Sequence, residues 1–126
     1  MPVISSLAGD DEGNALNVNA DTVASIIAQD LEAAKLIMLT GVRGLLRDAE
    51  DPDSLVSKAT VDEARALIAD GSVAGGMVPK LTTMIDALEN GVGQVVILSG
   101  VEESALLLEL FTDRGVGTLI APNGDA

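Results

Sequence analysis

Lys35-Leu36-Ile37-Met38-Leu39-Thr40-Gly41-Val42-Arg43-Gly44 is the stretch on which the fold turns. Its apolar run, Leu36 to Leu39, is too short for a helix and is closed by a turn marked with two glycines. An unbroken apolar run of this length fits a strand buried on both faces, which is the signature of a parallel sheet covered by helices. Val95-Val96-Ile97-Leu98 repeats the pattern later in the chain. The segments around these two strands have helical periods. Val23, Ile26, Ile27 and Leu31 form one apolar stripe, and Leu81, Met84, Ile85 and Leu88 form another, stopped by Gly91. Thr60 and Glu63 have capping-box spacing and open a helix that runs to Asp70, before Gly71.

The rest of the chain extends the alternation. Pro2 to Leu7 reads as an opening strand, Gly9 to Asn14 as a polar turn, and Asp48 to Asp53 as a surface loop. Glu102 to Thr112 reads as a helix with Phe111 in the core, and Val116 to Ile120 as a last short strand. The expected architecture is α/β: a three-layer αβα domain over residues 1–121 with a mostly parallel sheet, followed by a flexible tail at 122–126.

Composition narrows the chemistry. The 126 residues are 48% hydrophobic, enough for a real core. Without cysteine or histidine there is no disulfide framework, thiol nucleophile or histidine base. Phe111 is the only aromatic residue, so no stacking platform for nucleic-acid bases exists. Twenty acidic against seven basic residues give a net charge of −13, which repels phosphate backbones and anionic lipid. The expectation is a cytoplasmic protein that binds neither nucleic acid nor membrane.

In an open α/β sheet, ligands gather outside the carboxyl ends of the strands. Three segments are expected at that edge: Asn17 to Asp21, Thr40 to Gly44, and Gly75-Gly76-Met77-Val78-Pro79-Lys80. Lys80 stands out because a cation at a helix start faces the positive end of the dipole. An anionic ligand sharing the ammonium and the helix N–H groups would reconcile the two; a solvated lysine is the other reading. Asn17, Asn19 and Asp21 alternate as if aimed to one side, yet Asn and Asp before a helix are also ordinary caps. Glu109, within Leu-Leu-Leu-Glu-Leu-Phe, reads as a solvated acid or as a buried one awaiting a cation.

Four stretches in this order resemble the carboxyl-terminal, nucleotide-binding half of the acetylglutamate kinases, within the amino-acid kinase (carbamate kinase-like) family. They are Asn17 to Asp21, Leu39 to Leu46, Gly75 to Lys80, and Leu107 to Thr118. The resemblance implies transfer of the ATP γ-phosphoryl group to the side-chain carboxylate of N-acetyl-L-glutamate, in arginine biosynthesis. It implies ATP or ADP as ligand, with Mg2+ carried mainly on the phosphates and no protein residue assigned to the metal. Lys80 would neutralise the migrating phosphoryl group, and Asp21 would orient catalytic lysines. Asn17 and Asn19 would hold the acylated substrate. Thr40, Gly41, Val42, Gly44, Gly75, Gly76 and Met77 would line the nucleotide site. Glu109 and Gly115 match an arginine-effector site. The family usually has an acidic or amide residue where Gly41 stands, and its arginine-inhibited members have a histidine where Ser104 stands. The resemblance also implies an amino-terminal, acylglutamate-binding half that lies outside this sequence. The face toward that half would then be exposed and could pair copies into a homo-oligomer. The alternative is a stand-alone or engineered nucleotide-binding domain, or a folding module, without catalytic activity.

Overall fold

The computed structural model describes residues 1–48, 50–112 and 115–124. Asp113 and Arg114 of the Leu107 to Thr118 stretch, and Asp125 and Ala126 of the expected tail, lie outside the described residues. The chain opens on a small antiparallel hairpin, β1 (Leu7–Gly9) with β2 (Ala15–Asn17). The opening strand therefore falls later than the expected Pro2 to Leu7. Its register is set by Asp10, whose carboxylate accepts from the Glu12 and Asn14 N–H groups and from the Asn14 amide. That local closure pairs residues 7–9 with 15–17 and leaves 2–6 outside the ladder.

A four-stranded sheet follows, in the order β3 (Leu36–Thr40), β5 (Val95–Ser99), β6 (Thr118–Ala121), β4 (Lys58–Thr60). β3 and β5 are parallel, as are β4 and β6, while β5 and β6 are antiparallel. The sheet is thus mostly parallel, with one antiparallel seam. Alternation sorts its side chains. Met38, Val95, Ile97, Ala59 and Ile120 join one buried core, whereas Val96 and Leu98, equally buried, lie outside that cluster.

The helices α1 (Ala20–Asp30), α2 (Val61–Ala69) and α3 (Met77–Glu89) supply the rest of that core through Ala28, Ala64, Leu67, Leu81, Met84, Ile85 and Leu88. α2 begins at the expected capping box: Thr60 Oγ1 accepts from Glu63 N–H and the Glu63 carboxylate accepts from Thr60 N–H. Asn123 Oδ1 accepts a further first-turn N–H, that of Asp62.

The fourth helix, α4 (Ala105–Phe111), packs against β5 and forms the third layer. It starts later than the expected Glu102. The Ser99 hydroxyl accepts from Val101 and Glu102 N–H in a tight turn, and Ser104 has φ +61, which cannot continue into a helix interior. Phe111 is 80% exposed rather than in the core, and Leu106, Leu107, Leu108 and Leu110 are exposed with it. Only Ala105 of α4 is buried. A short helix with apolar residues on every side has more apolar surface than one sheet face can cover.

Candidate active site

α1 and α3 lie side by side and run in the same direction. Asp21 meets Lys80, Ser25 meets Thr83, and Gln29 meets Asp86, with both numbers rising together. Each helix ends where its following strand begins: Gly93 N–H donates to Ala33 O and Leu36 N–H to Gln94 O. Both helices therefore start at the carboxyl edge of β3 and β5, beside Thr40 and Ser99. Two positive dipole ends converge there.

Asp21 sits in the first turn of α1, and Lys80 is the fourth residue of α3. The Lys80 ammonium donates to Asp21 Oδ2 at 2.5 Å, with side chains only 22% and 29% exposed. The pair is sheltered but open to one side. Asn19 caps α1, its Oδ1 accepting from Asp21 and Thr22 N–H at 2.9 and 3.1 Å. The capping reading of Asn19 is thus realised, and its effect is to hold Asp21 in place. Asn17 ends β2, exposed, two residues before the cap.

α3 begins differently. Gly75, at φ +59, takes a left-handed conformation that permits the tight turn into the helix. Gly76 occupies the cap position and offers no side-chain acceptor. The N–H groups of Met77 and Val78 reach back only weakly, at 3.4 and 3.3 Å, to Ala74 and Gly75 carbonyls, and no acidic residue lies in the first turn. Pro79 has no N–H to satisfy. The start of α3 thus combines a lysine with underused donors.

The Thr40–Gly44 turn lies next to this start. Thr40 Oγ1 donates to Val42 O and accepts from Val42 N–H, stiffening the turn. Val42, Gly44, Leu45, Leu46, Val73 and Met77 surround a mostly apolar cavity of about 190 Å³. The structure thereby brings together Val42, Gly44 and Met77 of the expected nucleotide residues. Gly44 is also packed hard: a Cβ there would run into the Thr118 hydroxyl and the Leu55 side chain. Gly41 faces open space. Arg43 reaches Glu102 at 3.4 Å.

Glu109 and Gly115 meet elsewhere, on the α4 side of the sheet. Glu109 is half-buried and accepts the Val116 N–H, while a Cβ on Gly115 would sit 3.0 Å from its carboxylate. The residue is therefore neither fully solvated nor sealed. Lys35, Ser57 and Lys58 border the same cavity, of about 270 Å³.

Residues 1–99 match the model of the amino acid kinase family. The chain belongs to that family. It is 51% identical over 120 residues to the acetylglutamate kinase of Methanosphaera stadtmanae, covering 95% of this chain and 40% of that protein. The chain thus spans about two-fifths of the length of such curated relatives. Among solved structures it resembles N-acetylglutamate synthase from Neisseria gonorrhoeae, complexed with coenzyme A and N-acetyl-glutamate. There the TM-score is 0.82 and the identity 34%, covering 92% of this chain and 26% of that one. The carbamate kinase of Giardia lamblia bound to AMP-PNP shares the fold, with a TM-score of 0.68 and 24% identity over 93% of this chain and 37% of that one.

The residue pattern alone marked Asp21 and Lys80 separately, and the family resemblance implied that Asp21 orients the lysine. Sequence reasoning missed the partnership of Gln29 with Asp86 and Ser25, for which the sequence offers only the four-residue spacing of Ser25 and Gln29 on one helix.

Proposed function

We propose that this chain is the nucleotide-binding part of an acetylglutamate kinase-type phosphotransferase acting in the cytoplasmic biosynthesis of arginine. The observation that supports this most directly is the Asp21–Lys80 pair joining the first turns of two parallel helices at the carboxyl edge of the sheet. Phosphoryl transfer asks a protein for positioning and positive charge rather than for a nucleophile. In the transfer, the bond from the γ-phosphorus to the β–γ bridging oxygen breaks. A bond to a substrate carboxylate oxygen forms.

Each residue then has a place. The Lys80 ammonium and the N–H groups of Gly76 to Val78 face the phosphates. Asp21 holds the ammonium in line. The turn from Thr40 to Gly44 and Met77 border the apolar cavity suited to the base. Asn17 and Asn19 are the proposed contacts for an acylated amino acid. Among the described residues no set of three acidic side chains is gathered around a possible metal. Mg2+ would be held mainly through the phosphates, where it offsets charge. Glu109 and Gly115, at their separate cavity, are the proposed contacts for an arginine effector.

Calorimetric titration tests the reading. Wild type should bind MgATP or MgADP at low salt. Lys80→Ala should weaken MgATP binding by about 10- to 100-fold, as expected for one sheltered charge-assisted contact, while adenosine binding stays unchanged. Equal losses for ATP and adenosine would make Lys80 structural. A wild type that binds no nucleotide would overturn the proposal.

A further inference from the structure

The seam between α1 and α3 carries three polar rungs. Asp21 and Lys80 form the first. In the middle, Ser25, only 2% exposed, donates to the Thr83 carbonyl at 3.4 Å. At the far end the Gln29 amide donates both to Ser25 Oγ at 3.0 Å and to Asp86 Oδ2 at 3.1 Å. Asp86 is held in turn by the Asn90 amide. α1 adds the small residues Ala24 and Ala28 to the core that Leu81, Met84, Ile85 and Leu88 of α3 also join.

Small apolar side chains let two helices approach closely but fix their relative height weakly. Directional polar contacts fix it, which is the best-attested use of polar groups at a packed seam. Height matters here because a slip of one residue moves a helix by about 1.5 Å along its axis. Set across the 2.5 Å Lys80–Asp21 contact, such a shift lengthens it to about 2.9 Å and turns it off line unless the lysine stem readjusts.

We propose that the Ser25–Gln29–Asp86 rungs set the axial register of α1 against α3, making Gln29 a positioning residue for Lys80 from about 9–12 Å away along the two helices. The assignment of Lys80 to the phosphates rests on the function proposed above; the register argument itself does not. Gln29 touches neither Asp21 nor Lys80 in the bonds described and acts through the seam.

The test uses the chain as it stands, with two readouts. The first is the Asp21 carboxylate carbon resonance, which reports its partner directly. The second is MgADP affinity. Gln29→Leu keeps the helix and removes both donors. It should shift the Asp21 resonance toward its position in Lys80→Met, and weaken MgADP binding about 3- to 10-fold, the scale of one or two hydrogen bonds. Gln29→Lys restores a donor opposite Asp86 and should return both readouts toward wild type. If Gln29→Leu fails to fold, Asp86→Ala at an exposed position removes the same rung, and the same two shifts are expected. An Asp21 resonance unmoved in a folded Gln29→Leu or Asp86→Ala variant would overturn the proposal. A resonance that moves in a protein without nucleotide affinity would support the register assignment while refuting the proposed function.

Discussion

Replacing Thr118 by valine should cost more than its change in shape suggests. Thr118 is fully buried, and its hydroxyl does two jobs: it donates to Val56 O at 2.6 Å and accepts from Leu45 N–H at 2.9 Å. Leu45 and Val56 are themselves buried, so neither orphaned group can turn to water. Each buried unpaired polar group costs about 1–3 kcal/mol. The methyl that replaces the hydroxyl returns about 0.8 kcal/mol. The net expectation is a loss of about 1–5 kcal/mol, or about 4–20 °C in Tm for a domain of this size. The same node anchors the turn that borders the proposed base cavity, so MgADP affinity should fall with stability. Thr118→Ser is the control: it keeps both hydrogen bonds, loses one methyl, and should cost about 1 kcal/mol. Urea denaturation of the three proteins decides the matter. A valine variant within about 0.5 kcal/mol of wild type, or a serine variant less stable than the valine, would refute the hydrogen-bond argument.

Gly117→Ala would force a Cβ against the Ile97 carbonyl and the Leu98 side chain where β6 meets β5. It should lose about 3 kcal/mol or more, whereas Gly41→Ala, whose Cβ meets open space, should stay within about 0.5 kcal/mol in the same denaturation series. The Glu63 carboxyl is held below its ordinary pKa by the Thr60 N–H first, then by the Thr60 hydroxyl. A lowered folded-state pKa adds stability that is complete above the unfolded value and is lost as pH falls through the folded one. Glu63→Gln should therefore flatten the acid limb of a Tm-against-pH curve, and an unchanged limb would remove the capping box as its cause. Replacing both partners of the exposed Arg65–Glu89 pair by alanine should change stability by less than about 1 kcal/mol by chemical denaturation.

Both strands were legible because Leu36–Leu39 and Val95–Leu98 are apolar without interruption; burial on both faces, which such a run suggests, holds for β5 alone, since β3 lies at the sheet edge with Leu39 exposed. β4 was not legible. Lys58-Ala59-Thr60 carries no pattern of its own and is a strand only because β6 lies beside it. The antiparallel seam between β5 and β6 was equally hidden. The connection from Ser99 to Thr118 is long enough for a parallel crossover, so its length carries no signal of the antiparallel pairing. At the site, helix-start chemistry placed Asp21 and Lys80 each near a terminus. Their contact depends on the parallel alignment of two helices far apart in sequence, which no local signal encodes. Phe111 was misread because an apolar helix was assumed to have a partner on every side.

Among the described residues β3 is paired on one side only, with β5. Edge strands usually defend themselves with a lysine, a proline or a bulge, but Leu-Ile-Met-Leu-Thr has none of these, and Leu39 is largely exposed. The −13 charge of the chain opposes the approach of two such edges. That defence acts at long range and can be screened: at 1 M salt its reach shrinks to about 3 Å, less than the spacing of neighbouring strands. Association through this edge is therefore expected to rise with ionic strength, which light scattering across a salt series checks.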